Sequence, residues 1–126
     1  MRTLITIISI FIILLGGSFA SYRYVETRTQ TMGALLESVE DSIIVQKWEG
    51  AQADLNIAQQ NWKADDTWWS IILDHQEIDN ININMKRLEK FIGLQDVSQS
   101  LGEVTTLELL FEHIFDTELL NFKNIF

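Results

Sequence analysis

Trp68-Trp69-Ser70-Ile71-Ile72-Leu73-Asp74-His75-Gln76-Glu77-Ile78-Asp79-Asn80-Ile81 is the stretch whose reading decides the fold. Read as helix, it sets Ile71 and Ile78 seven apart, and Met85 and Ile92 continue that spacing. Ile81 and Leu88 fall three residues after Ile78 and Met85, which completes an a/d seam. The spacing predicts one helix over about 67–92, capped by Asp65 or Asp66 and closed by Gly93 as a C′ residue. In that register Asp74 takes a d position inside the seam, with His75 at e and Glu77 at g. A carboxylate among apolar side chains is costly unless paired, so Asp74 is expected to have a partner. The indole of Trp48 or Trp62, or Lys47 or Lys63 in the adjoining turns, is within reach. The plain reading is a polar contact that fixes helix register; the sharper one is a ligand or metal site.

The flanking segments carry the same helical period. Met32, Leu35, Leu36, Val39 and Ile43 make one face of a first helix, up to a turn at Val45-Gln46-Lys47. A second helix over about 48–62 has the stripe Ala51, Leu55, Ala58 and Trp62. Lys63-Ala64-Asp65-Asp66 turns the chain into the third. Asp96 then caps a fourth helix, about 97–115, with the seam Val104, Leu107, Leu110, Phe111 and Ile114. Connections this short make neighbouring helices antiparallel. The apolar tail, with Leu119, Leu120, Phe122, Ile125 and Phe126, is expected to pack back on the bundle rather than dock on a partner or on lipid. Across 126 residues there is no Pro and only six Gly, which disfavours a sandwich or barrel. The fold class expected is all-α: an N-terminal transmembrane helix continuing into an antiparallel bundle of about four helices.

Thr3 to Tyr22 is twenty residues without a charge. As helix, about 1.5 Å per residue spans roughly 30 Å, the thickness of a bilayer core. A retained anchor over residues 1–23 is the favoured reading, with Tyr22 and Tyr24 as interfacial aromatics. The alternative is a cleaved signal peptide, with Ser18-Phe19-Ala20 as its cleavage site. Beyond Arg23 lie all 18 acidic residues and seven of the nine basic ones. So acidic a surface, residues 24–126, repels phosphate backbones, and no nucleic-acid partner is expected. It is also expected to stand off anionic lipid. The charge flanking the apolar run orients the chain weakly, with the N-terminus in the cytoplasm and the bundle outside. Cys is absent, so disulfides, thiolate metal sites and a Cys nucleophile are excluded.

Chemistry-bearing residues are few. If the third and fourth helices are antiparallel, His75 and His113 come to one height, near Glu108 and Glu112, and Asp74, His75, Glu77 and His113 are candidate metal ligands. The Glu-x-x-His spacing of di-iron bundles is absent, as are a His-x-x-x-His pair and a Gly-rich phosphate loop. No catalysis and no cofactor are expected. Trp48, Trp62, Trp68 and Trp69 read first as core anchors at helix ends and second as a contact surface. That surface would include Asp74, His75, Phe122 and Phe126.

Several of these features occur together: the single N-terminal span, Trp48 with Ala51, the run Trp62-x5-Trp68-Trp69, Asp74-His75-Gln76-Glu77-Ile78-Asp79, and the closing Leu120-x-x-Lys123-Asn124-Ile125. The chain resembles an uncharacterised domain-of-unknown-function family of small single-span membrane proteins from spore-forming Gram-positive bacteria. The resemblance implies a membrane-anchored helical domain with no assigned activity, and a link to the cell or spore envelope. The function expected is therefore a membrane-anchored interaction or accessory module with a protein partner. The alternative is a metal- or small-ligand-binding bundle using Asp74, His75 and Glu77.

Overall fold

A computed structural model of the chain describes the backbone of residues 1–125 and the side chains of residues 1–117. Five helices follow in order: α1 (Arg2–Ile44), α2 (Trp48–Ala64), α3 (Asp66–Ile72), α4 (His75–Gly93) and α5 (Val97–Ile125). No strand occurs among the described residues.

α1 runs 43 residues without a break. Its first buried residue is Val25; from there Thr29, Met32, Leu36, Val39 and Ile43 turn inward on one stripe. Before Val25 none of its apolar window is buried, and the helix is long and apolar enough to cross a membrane. One helix thus has two environments. Its C-terminal half is a bundle member, packed chiefly on α5 and α2; in its N-terminal half no residue of the apolar window is buried, and Tyr22, past that window, meets Phe115 with ring centroids 6.4 Å apart.

The seams read from spacing carry the core. Ala51, Leu55, Ala58 and Trp62 of α2 are buried, as are Ile81, Met85, Leu88 and Ile92 of α4 and Val104, Leu107, Phe111 and Ile114 of α5. Leu35 and Leu110 are partly buried against them. Two helix ends share one device. Gln46 and Gln95 adopt left-handed φ of 57° and 54°. After them, Lys47 N–H donates to Ser42 O at 2.8 Å and Asp96 N–H to Phe91 O at 3.1 Å, the six-to-one bond of a Schellman end. Gly93 is therefore the last residue of α4 and not its left-handed stop; Gln95 takes that conformation. Asp96 does cap α5, accepting from Gln99 N–H at 3.0 Å.

The third helix is not one helix. The chain leaves helical geometry at Leu73 (φ −111°, ψ 150°) and Asp74 (φ −78°, ψ 166°), so α3 and α4 meet at an elbow. The break shifts the register. Trp69 and Leu73 now turn inward, while Ile71, expected in the seam, is 77% exposed. Asp74 is not a seam residue. It is exposed and caps α4, its Oδ1 accepting from Glu77 N–H at 2.8 Å. A continuous helix would bury Asp74; bending at Leu73 keeps that carboxylate in water and supplies a cap.

Candidate functional site

Three places concentrate polar and aromatic side chains. The first is the end of the bundle nearest the apolar half of α1. Tyr24 and Arg28, one turn apart on α1, both hold Asp65 at the end of α2. The Tyr24 hydroxyl donates to Asp65 Oδ1 at 3.0 Å, and Arg28 Nε stands 3.3 Å from Oδ2. Arg28 also lies over the Tyr24 ring, 4.9 Å from its centroid. Asp65 is the N-cap position of α3, yet its side chain makes no cap bond there, because both oxygens are engaged by α1.

The tryptophans lie above this clamp. Trp68 meets Tyr24 edge-on at 4.4 Å and Trp69 at 4.9 Å. Trp69 in turn lies 5.1 Å from Trp62 and 6.1 Å from Phe111. Trp62 and Trp69 are buried and serve the core, so neither offers a free contact surface. Trp48 and Trp68 are partly buried against that core. The Trp62 indole donates to Asn82 Oδ1 at 2.8 Å, so its partner is on α4 and is not Asp74. The Trp69 Nε1–H is buried without a hydrogen-bond partner.

The second place is the elbow. Asp74 and His75 are exposed at the start of α4, and Glu77 is half-buried one turn on. His113 is exposed on α5. Among the described residues no group of three or more His, Asp or Glu side chains is gathered as a metal shell requires. Phe122 and Phe126, and the expected packing of the tail, lie outside the described side chains.

Sequence reasoning missed the third place, between α1 and α5. A cleft of about 420 Å³ is lined by Gly33, Phe111 and Phe115, with Glu37, Glu108 and Glu112 among its carboxylates. The Glu108 carboxyl is pushed up to about 7, first by burial, then by a side-chain hydrogen bond with Glu40 and by the charges of Glu40, Glu37 and Asp41. The ion pairs among the described residues, Arg23–Glu26, Arg28–Asp65 and Arg87–Glu103, all lie elsewhere. The signal available in sequence was Glu37, Glu40 and Asp41 on one helix with Glu108 on another. Which helices become neighbours across such a set is not a periodic property of either.

The buried acid among the described residues is Glu103, unmarked by sequence reasoning. It is 7% exposed, and its Oε1 meets Arg87 Nη2 of α4 at 2.9 Å while Oε2 has no hydrogen-bond partner. Nothing in these arrangements assembles a nucleophile with a base; what they offer is a shaped acidic and apolar surface on a rigid scaffold. No curated protein and no solved structure matches the chain. A family model does match, over residues 19–125, which takes in the end of the apolar segment and the whole bundle: the chain belongs to the family described as Domain of unknown function (DUF4363).

Proposed function

We propose that this protein is a single-span, membrane-anchored interaction module, held by the apolar half of α1, with its acidic bundle outside the cytoplasm. The observation that carries the reading is the division of α1. No residue of its apolar window is buried, and from Val25 onward it is a full member of the core. Apolar surface of that extent needs a non-aqueous neighbour, and a lipid bilayer matches its length. The caps, the Tyr24–Arg28–Asp65 clamp and the Arg87–Glu103 pair serve the bundle's own architecture, which supports a scaffold role. A place in the cell or spore envelope of Gram-positive bacteria accords with the family resemblance and with an acidic, Cys-free domain.

The absence of native Cys supplies the test. Ser98 is exposed at the start of α5, so Ser98→Cys gives the full chain a single thiol on the bundle. The reading expects labelling by a membrane-impermeant maleimide on intact cells, retention in membranes through alkaline carbonate, and an intact mass that still includes residues 1–20. Labelling only after lysis, release by carbonate, or a mass lacking the apolar segment would each overturn it.

A further inference from the structure

We propose that the cleft between α1 and α5 receives α4 of a second copy of this chain, giving head-to-tail contacts in the plane of the membrane. The cleft brings carboxylates together, and no ion pair among the described residues engages them. The chain carries a complementary surface elsewhere. On α4, Ile83, Lys86 and Lys90 follow at three and four residues and so share one stripe. All three are exposed, Ile83 by 55%, and neither lysine has an ion-pair partner among the described residues. On α1, Gly33, Glu37 and Asp41 follow at four and four.

The two stripes match in order, and in height to within about one helical turn. α1 and α4 both lead away from the anchor, so in two copies fixed in one membrane they meet in parallel. That common height rests on the membrane reading above. Within one chain, Arg87 of α4 is level with Glu103 of α5 through their 2.9 Å contact. Counting down the antiparallel pair from there brings Ile83 level with about Glu108, at the cleft. Docking then sets Ile83 over Gly33, Lys86 against Glu37 and Lys90 against Asp41. Gly33 supports this independently. It sits in mid-helix, where Gly is unfavourable by about 1 kcal/mol. A Cβ there would meet nothing within 4 Å, so the chain's own packing does not require Gly. A helix laid across the cleft does, because it needs close approach. The contact joins different surfaces, so it repeats instead of closing at a pair. Confinement to one membrane raises the effective concentration of partners, which lets a modest contact suffice.

Ala34→Cys, which leaves Gly33 in place on the cleft lining, and Ile83→Cys, placed together in the otherwise Cys-free full chain, test this in membranes with a short bismaleimide. The expected result is a ladder of dimers, trimers and larger species, with neither single variant giving one. Adding Lys86→Glu and Lys90→Glu should cut the cross-linked fraction about tenfold, and adding Glu37→Lys and Asp41→Lys to that chain should restore it. No ladder from the pair, a ladder from either single variant, or indifference to the charge reversals overturns the proposal. So does cross-linking of the cleft to a foreign basic protein in place of a second copy. Carbonate extraction of the same samples separates the two readings. A chain retained in membranes without a ladder sinks the docking alone; a chain released by carbonate sinks the anchor, whatever the ladder shows. All substituted side chains are exposed, and unchanged helical circular dichroism confirms that the bundle is intact.

Discussion

Glu103 pairs with Arg87 across the α4–α5 contact, and the two are not equally placed: Glu103 is buried, whereas the Arg87 side chain is 57% exposed. Removing the cation leaves a buried carboxylate uncompensated, which costs more than the pair itself contributes. Arg87→Met should therefore destabilise the bundle by about 1–3 kcal/mol in urea unfolding, and adding Glu103→Met should recover most of that loss. Glu108 makes a different prediction. Its folded carboxyl titrates near 7 against an ordinary value of 4.5. The folded state holds this proton more tightly than the unfolded one, so its contribution to stability is complete below about 4.5 and is lost as pH rises towards 7. The charges of Glu40, Glu37 and Asp41, which face it from α1, oppose its own. The melting temperature should fall by a few degrees between pH 5 and pH 8, and Glu108→Gln should remove most of that slope. Glu103 did not stand out in the sequence, and Glu108 stood out only as a neighbour of His113. Each acquires its character from a helix far away in the chain, and spacing within one helix carries no record of that neighbour.

Helix faces were legible for the opposite reason. Ala51, Leu55, Ala58 and Trp62, or Val104, Leu107, Phe111 and Ile114, turn inward because their spacing sets them on one side of a helix before any tertiary contact forms. The elbow between α3 and α4 was misread because that rule was carried one heptad too far, from Ile78 back to Ile71. The local sign of a boundary was present: Asp74 followed three residues later by Glu77 is a helix-start pattern. It competed with an a/d match and lost. The elbow predicts that Asp74→Ala costs about 1 kcal/mol, the loss of one N-cap, whereas a carboxylate buried on a seam would have been relieved by the same change. Chemical denaturation separates the two outcomes by sign. Asp65 reads the same way. It was expected as a cap by position and holds that position, but its oxygens go to Tyr24 and Arg28, since α1 presents a hydroxyl and a guanidinium where α3 presents only backbone N–H.

For the molecule as a whole, continuity of α1 matters most. Val25 is buried within a turn of the last uncharged residue, and Tyr24 and Arg28 tie α1 to Asp65 just beyond. No flexible linker separates the apolar segment from the bundle. The clamp sits at the foot of the apolar helix. The same division limits what the apolar window gives the fold: none of it is buried, so it supplies no core contact that folding needs. A chain beginning at Ser21 should therefore stay soluble without detergent, keep its helical circular dichroism, and melt cooperatively within a few degrees of the full chain in micelles. It keeps Tyr24, Val25 and Arg28, hence the clamp. Adding Arg28→Ala to that fragment breaks the ion pair and the cation–π contact together, and should lower its stability by about 1 kcal/mol. A fragment that aggregates or loses cooperativity would mean that the apolar helix is part of the core, and the division of α1 on which the anchor reading stands would fall with it.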